Sequence, residues 1–439
     1  MPVYDLSMLT SATFKDFKSY ESATLKLAPL TILIGANASG KSNALEGLRL
    51  MSWIVQGNRL SSVRYAVYEG DSAVRGTTST LARRGHDQFT LSADFQYSDW
   101  DHYSISVQRT PDNELHIYDE RVTSRNSTVP LFEVIPGHPG VSSDLRVAYN
   151  NFARGGRKPQ VTCTDQMSVL IQMQSAARFE SGHNSAQTEI PMVCRVFQEQ
   201  IAGILFLDPQ PSAMRAYSFK HEVRLNGDGS NLSAVLFNIC KDVGKESILS
   251  LIKSLPEQNI SDIEFIETPR GEVMVTLEET FGDRTELFDA TLLSDGTLRV
   301  LSIAAAIYSS PDGSLLVIEE IDNGVHPSRA EMLLTSISEI AKARNLRVLL
   351  SSHNPALLDA LPVDAVPNVV FCYRDRASGC SRLVRLQDIP DYPELIAQGS
   401  VGHLMTAGLI ERFVKNHPGP AAKRIKSQQW LDSLKSALP

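Results

Sequence analysis

The chain has 439 residues, of which 42% are hydrophobic and 21% charged, the composition of a globular protein with a large core. Its 42 basic and 50 acidic residues give a formal net charge of −8, which argues against a broad surface for DNA or RNA. The five cysteines form no CxxC pair, so neither a zinc site nor a disulfide framework is indicated. No signal peptide and no apolar run of the ~20 residues needed for a membrane span is recognisable, so we expect a cytoplasmic protein without a membrane partner.

Hydrophobic patterning predicts two αβ segments, which are separated by a long stretch with a different pattern of apolar and polar residues. The first has an apolar strand that ends near Gly35 and a helix over 43–55. The second, over 297–372, alternates apolar helices with buried strands, which implies a largely parallel sheet. The elements predicted between them are an antiparallel meander over 89–134, polar loops and helices over 144–202, a strand over 203–207, helices over 231–243 and 246–255, and short strands over 260–290.

We interpret the chain as one α/β nucleotide-binding fold that is split in sequence and interrupted by inserted β and helical pieces. The predicted boundaries are an N-terminal core part over 1–60, an inserted meander and helical region over 61–202, a β/α lobe over 203–290, a C-terminal core part over 291–375 and a helical tail over 376–439.

A glycine-rich loop joins the first strand to the first helix and fits the pattern GxxxxGK[ST] at every fixed position. In such a loop backbone N–H groups curl around phosphates, Lys41 adds a point charge, and the Ser42 hydroxyl can ligate Mg²⁺. A glycine-rich turn that binds nothing is the alternative, but the strand before the loop and the helix after it are the context that phosphate binding demands. The predicted ATP contacts are Gly35, Asn37, Ala38, Ser39, Gly40, Lys41, Ser42 and Asn43.

Two acids, Glu319 and Glu320, directly follow the apolar run LLVI. A central strand delivers the residues that follow it to the carboxyl edge of the sheet, where the phosphate loop also lies. Glu319 is therefore the predicted magnesium ligand together with Ser42, and Glu320 is the predicted base for the attacking water. Solvated acids at the end of a strand are the alternative, which the phosphate loop disfavours.

Four runs in this order, LTILIGANASGKSN, LLSDGTLRVLSIAAAI, LLVIEEIDNGVHP and LLSSHNPALLDAL, resemble the ATPase core of the SMC/RecF/ABC superfamily. Within it they are most similar to bacterial AAA-family ATPases related to the OLD family. The resemblance covers 13–44 and 287–372 well and 207–236 moderately. It implies an ABC-ATPase head with a P-loop parallel core sheet, an antiparallel β lobe and a helical insert.

The resemblance also implies site residues beyond the phosphate loop and the carboxylates. Ser294 and Gly296 match the ABC signature, which in the family closes on the γ-phosphate bound by a second subunit. Asp295 and Thr297 depart from the LSGGQ pattern, and without the family the run SDGT would be a turn and a helix cap. His353 matches the switch histidine that contacts the γ-phosphate.

Other family positions are less specific in this sequence. Asp322 and Asn323 lie where the family places the D-loop, and Gln210 and Gln108 are candidates for the Q-loop glutamine. His326 receives no catalytic role. A small basic cluster in the tail is a candidate contact for nucleic acid or an acidic partner, but a solvated helix face is the favoured interpretation. Its residues are Lys415, Lys423, Arg424 and Lys426.

Three functions remain open. The resemblance favours a switch ATPase that forms a homodimer around ATP and gates a separate nuclease or toxin in bacterial anti-phage defence, with assembly into a higher oligomer left open. A RecF-like repair ATPase that clamps DNA directly is the alternative, which the net charge and the modest basic patch disfavour. A transporter ATPase is disfavoured by LSDGT in place of LSGGQ and by the large β insert.

Overall fold

The structure is a computed structural model that describes residues 8–63, 74–96, 99–137, 144–252, 259–322 and 327–415. The strands of these residues are, in chain order, β1 (Met8–Phe17), β2 (Tyr20–Lys26), β3 (Leu30–Ile34), β4 (Gln88–Gln96), β5 (His102–Arg109), β6 (Leu115–Ser124), β7 (Ser127–Val134), β8 (Asp144–Tyr149), β9 (Gln160–Thr164), β10 (Leu205–Leu207), β11 (Ser218–Phe219), β12 (Ile260–Glu267), β13 (Glu272–Phe281), β14 (Arg284–Asp289), β15 (Leu315–Ile318), β16 (Arg347–Ser351), β17 (Val369–Arg374) and β18 (Ser381–Arg385).

The α-helices of the described residues are numbered in the same way. They are α1 (Lys41–Val55), α2 (Val169–Gln172), α3 (Asn184–Ala202), α4 (Pro211–Met214), α5 (Leu232–Asp242), α6 (Lys245–Ile252), α7 (Asp295–Ser309), α8 (Pro327–Ala343), α9 (Pro355–Asp359), α10 (Tyr392–Ile396), α11 (Val401–Thr406) and α12 (Leu409–Lys415). Short 3-10 helices cover Leu60–Ser62, Thr78–Thr80, Ala176–Arg178, Val366–Asn368 and Leu386–Asp388.

Five parallel strands in the order β10-β15-β16-β3-β17 form the centre of the fold. Every residue of β3 and β15 is buried, and their side chains alternate between two hydrophobic cores. Leu33 and Val317 belong to one core, whereas Ile32 and Ile318 belong to the other. Strands that are apolar on both faces need cover on both faces, so the parallel strands lie in the middle layer.

The same sheet continues beyond β17 in the order β18-β2-β1-β4-β5-β6-β7-β8-β9. β18 pairs in parallel with β2, and the strands from β2 to β9 form an antiparallel lobe. β1 pairs with β2 on one side and with β4 on the other, so the meander and the core share one fourteen-stranded sheet. A separate four-stranded sheet has β13 at its centre, with β12, β11 and β14 paired to it. These features confirm the expected α/β class with a parallel core and an antiparallel β lobe.

One buried carboxylate of the lobe bonds the start of the helical insert. Glu120 on β6 accepts hydrogen bonds from the Tyr103 hydroxyl at 3.0 Å and the Ser168 hydroxyl at 2.6 Å. It also accepts from the backbone N–H groups of Val169 at 2.7 Å and Leu170 at 3.0 Å, where α2 begins. Burial raises the pKa of Glu120 to about 6, although these hydrogen bonds stabilise its charged form.

Two predicted segments differ from the structure. The stretch over 144–202 is not only loops and helices, because 144–149 and 160–164 form β8 and β9 at the edge of the sheet. Both strands are short and mostly exposed or half-buried, and although their apolar residues alternate with polar ones, the polar and glycine-rich loops around them obscure this pattern in the sequence. The predicted helical tail contains β18, which pairs with β17 before the helices begin.

Candidate nucleotide-binding site

The loop between β3 and α1 has a backbone that favours glycine at two positions. Gly35 has a φ of 147°, and a Cβ there would lie 2.2 Å from the carbonyl oxygen of Cys372. Gly40 has a φ of 119°, and its Cβ would lie 2.4 Å from Ser381 Oγ. Ala38 also has a left-handed φ, of 61°. A loop curved in this way can direct successive N–H groups toward one concave side.

α1 begins directly after this loop without a side-chain cap. Gly40 supplies no cap, and the first turn contains no acidic residue. Ser42 is exposed in this turn, and Asn43 donates to Ser19 Oγ at 2.6 Å. No group among the described residues bonds the buried hydroxyl of Ser39. Free N–H groups at a positive helix end, beside an unpaired hydroxyl, fit a ligand with several anionic oxygens, such as a polyphosphate.

Lys41 is buried at the base of the loop. Its Nζ donates to the carbonyl oxygens of Gly35 at 2.5 Å and Ala36 at 3.2 Å. Burial lowers the pKa of Lys41, and electrostatic interactions with Cys372 and Glu320 oppose that shift. Both hydrogen-bond acceptors are neutral, so the ammonium charge is not committed to a carboxylate in the described part of the chain.

Side chains from three neighbouring strands support the loop from below. Ser39 O accepts from Ser381 Oγ at 2.5 Å and from Cys372 Sγ at 3.4 Å. The Tyr20 hydroxyl donates to Gly40 O at 3.0 Å. Sequence reasoning missed these supporting residues because they come from β2, β17 and β18, and only the sheet order brings them under the loop.

Glu319 and Ser42 line one cleft of about 730 Å³ between α1 and the carboxyl ends of β10 and β15. The carboxylate of Glu319 accepts from Arg49 Nη2 at 2.5 Å, and its backbone N–H donates to Leu207 O at 3.2 Å. Burial raises the pKa of Glu319, and the nearby Arg49 charge opposes that rise. A hydroxyl and a carboxylate in one cleft are oxygen ligands that suit Mg²⁺ when phosphate oxygens and water complete the shell.

Glu320 follows Glu319 in the chain and has a left-handed backbone conformation, with a φ of 49°. Its N–H donates to Ser351 Oγ at 3.0 Å, which holds this conformation against its steric cost. The exposed side chains of Glu320 and His353 come together, with Nε2 of the histidine 3.6 Å from Oε1 of the glutamate. Both predicted residues therefore lie at the carboxyl edge of the parallel strands.

The predicted signature residues lie at the start of α7. Ser294 is the N-cap, and its Oγ accepts from the Thr297 N–H at 3.1 Å. Arg215 Nη2 donates to Leu293 O at 2.8 Å and to Asp295 Oδ1 at 2.9 Å, which fixes the turn. Neither Ser294 nor Gly296 is among the described residues that line the cleft of Ser42 and Glu319. In the structure the predicted signature is thus a capped helix start on the surface.

The structure separates the two Q-loop candidates. Gln210 lines the cleft, with its backbone N–H donating to Asp228 O at 2.9 Å. Gln108 lies on β5 in the antiparallel lobe.

Of the two predicted D-loop residues, Asp322 is partly buried and Asn323 lies outside the described residues. His326, Lys423, Arg424 and Lys426 also lie outside the described residues. Lys415 forms an ion pair with Glu411 and lies 5.9 Å from the Tyr373 ring.

No helix in the described ranges is long and apolar enough to cross a membrane.

Among known sequence families, one described as "AAA domain, putative AbiEii toxin, Type IV TA system" matches residues 30–121 and 185–359. These ranges include the phosphate loop, both carboxylates and His353. No curated protein matches the sequence.

Solved structures of SMC head domains are similar to the chain. An SMC head bound to the C-winged helix domain of ScpA is 14% identical, with 86% of this chain and 97% of that chain covered and a TM-score of 0.49. The SMC head domain from Thermotoga maritima is 13% identical, with coverage of 86% and 98% and a TM-score of 0.41. The Pyrococcus furiosus SMC head with an extended coiled coil, bound to the C-terminal domain of ScpA, is 12% identical, with coverage of 93% and 100% and a TM-score of 0.44.

The sequence family covers more than half of the chain and agrees with the resemblance seen in the motifs. The chain therefore belongs to the family of AAA domains described as a putative AbiEii toxin of a type IV toxin–antitoxin system.

Proposed function

We propose that the chain binds ATP with magnesium in the cleft between α1 and the carboxyl ends of β10 and β15, and hydrolyses it. The observation that carries this proposal is that Ser42, Gln210 and Glu319 line one cleft at the uncapped N-terminus of α1. A bound triphosphate needs N–H donors, a cation and oxygen ligands for magnesium in one place. The loop, Lys41 and the cleft residues supply these groups from three separate parts of the sequence.

Binding is assigned to the loop and the first turn of α1. The N–H groups from Asn37 to Asn43 surround the β- and γ-phosphates, and Lys41 turns its ammonium from the loop carbonyls to the phosphate oxygens. The Ser42 hydroxyl and the Glu319 carboxylate hold magnesium. When bound, magnesium neutralises part of the charge on the phosphates.

Hydrolysis is assigned to Glu320 and His353. The Glu320 carboxylate accepts a proton from the water that attacks the γ-phosphate. His353 forms a hydrogen bond to the same γ-phosphate. The Ser351 hydrogen bond and the left-handed backbone direct the Glu320 side chain toward the histidine. Both side chains are exposed, so a water molecule and a phosphate can approach them from solvent.

The active form is proposed to be a homodimer around ATP. Ser294 and Asp295 are exposed at the start of α7, and the neighbouring Leu292 is 67% exposed. A helix start that lies on the surface, outside the cleft of its own chain, can meet the γ-phosphate of another chain. Ser294 and Gly296 would then complete the site in trans.

We further propose that closure of this dimer controls a separate effector, a nuclease or toxin, in a bacterial anti-phage defence system. The support is the description of the family, which names a toxin and a toxin–antitoxin system. Such a system has two components, so a second protein that responds to the ATPase fits this role.

The ATPase and its dimer are tested by phosphate release at increasing protein concentration. Hydrolysis per chain should rise with concentration and reach a plateau, because two chains form each site. Lys41→Ala, purified in the same way, measures contaminating ATPases. Phosphate release no greater than that of Lys41→Ala contradicts the ATPase, and a rate per chain that is constant across monomeric and dimeric samples contradicts the shared site.

A further inference from the structure

Arg49 lies on α1 two turns after Lys41, on the helix face that lines the cleft. Its Nη2 donates to Glu319 Oε1 at 2.5 Å, and the two side chains are 27% and 21% exposed. Its guanidinium carbon lies 5.2 Å from the centroid of the Phe206 ring on β10. Contacts from β10 and from the end of β15 thus fix the guanidinium against the carboxylate.

This ion pair involves the residue that we propose as a magnesium ligand. Asp208 and Asp228 line the same cleft, so Glu319 lies in an acidic environment in which Arg49 supplies compensating charge. Magnesium is a hard cation that draws on the same carboxylate oxygens. A guanidinium and a magnesium ion also repel each other at short distance. Binding of either cation at Glu319 must therefore weaken binding of the other.

We propose that Arg49 is a built-in competitor of magnesium at Glu319, so that magnesium binding requires the guanidinium to release the carboxylate. This inference rests on the proposed function, because it assumes that the cleft binds ATP with magnesium. The cleft offers the released guanidinium alternative partners in Asp208 and Asp228. The Nε of Arg49 is buried and bonds no described residue, so a donor for such a partner is already present. Arg49 is thus a positioning residue that determines how strongly magnesium improves nucleotide binding.

The test compares dissociation constants of a fluorescent ATP analogue in EDTA and in excess magnesium. Their ratio is the gain in affinity that magnesium provides. Arg49→Gln should raise this gain about tenfold over the wild-type chain, because magnesium no longer displaces a charge-assisted hydrogen bond. Arg49→Lys keeps the positive charge without the planar fork, and its gain should lie between the two.

Arg75→Gln is the matched control. Arg75 lines the same cleft, but its Nε lies 3.6 Å from Glu46 Oε1, and the Glu319 carboxylate bonds Arg49 instead. Removing this exposed charge should change the gain less than about twofold. The comparison separates loss of the Arg49 pair from a general loss of positive charge.

A gain in Arg49→Gln that equals or falls below the wild-type gain would overturn the inference. Equal increases in Arg49→Gln and Arg75→Gln would also overturn it, since general electrostatics would then suffice. If Arg49→Gln fails to fold by circular dichroism, Arg49→Lys decides, and no increase over the wild-type chain would overturn the inference. A wild-type chain without magnesium-dependent nucleotide binding would contradict the proposed function itself.

Discussion

His353 Nε2 lies 3.6 Å from Glu320 Oε1, although the two residues follow different strands. The parallel register explains their meeting, because Ile318 at the end of β15 lies opposite Leu350 near the end of β16. Residues that come directly after these positions emerge at the same edge of the sheet. Glu320 and His353 are therefore positioned by two neighbouring parallel strands whose residues are almost all buried.

Glu320→Gln should retain ATP binding and hydrolyse ATP about 10²–10⁴-fold more slowly, because the attacking water loses its base. Phosphate release under saturating ATP and an equilibrium binding assay separate the two effects. Glu339→Gln makes the same chemical change at an exposed position on α8 and serves as the control. Wild-type turnover in Glu320→Gln would assign the base to another residue.

The shared site predicts that two inactive chains restore each other. Lys41→Ala removes the phosphate-loop cation, and Ser294→Arg blocks the signature. A mixed dimer contains one site in which an intact Lys41 faces an intact Ser294, so a mixture should recover part of the wild-type activity. Phosphate release by the mixture, measured beside each variant alone, checks this prediction.

The control for this mixture is Lys41→Ala combined with the double variant Lys41→Ala/Ser294→Arg, in which no dimer has an intact site. Ser294→Arg also removes the N-cap of α7, at a cost of about 1 kcal/mol, so its folding is verified by thermal unfolding. If heterodimers form and the first mixture is as inactive as the control, Ser294 acts only as a helix cap.

The buried Glu120 predicts a pH dependence of stability. Its pKa is about 6 in the folded chain against an ordinary value of 4.5, so the folded state binds more protons between these values. The free energy of unfolding should therefore fall as pH rises through this window. The total loss in the free energy of unfolding is about 2 kcal/mol. This loss is complete above the pKa of Glu120 in the folded chain and absent below its ordinary pKa. Urea unfolding between pH 4.5 and 7.5 measures it.

Glu120→Gln should remove this contribution from the pH profile, whatever its effect on absolute stability. Glu114→Gln changes an exposed carboxylate immediately before β6 and controls for the loss of one acid. Parallel pH profiles for the wild-type chain and Glu120→Gln would show that the carboxylate is not the titrating group.

The sequence predicts the core of the site because its signals are local. A buried strand, glycines at fixed spacing and a helix identify the loop of Lys41, and the apolar run before Glu319 identifies the second strand. Both motifs depend on short segments that fold in the same way wherever the parallel sheet forms. The meeting of Ser42 with Glu319 in one cleft follows from the edge to which such strands deliver their ends.

The remaining features depend on contacts between distant parts of the chain. The pairing of Arg49 with Glu319 and the support of the loop by Cys372 and Ser381 require the strand order, which no local pattern reveals. β8 has six residues, lies next to the edge strand β9 and buries only two of its residues, so its sequence resembles the polar loops around it. Such a strand is determined by the neighbour with which it pairs.

Equilibrium binding of ATP to the wild-type chain and to Lys41→Ala determines whether the phosphate loop binds the nucleotide. We expect an affinity about 100-fold weaker in Lys41→Ala, because the variant loses charge-assisted hydrogen bonds to the phosphates. Lys15→Ala, at an exposed position on β1, should bind as the wild-type chain does. Affinities of the wild-type chain and Lys41→Ala that agree within a few-fold would show that the loop does not bind ATP.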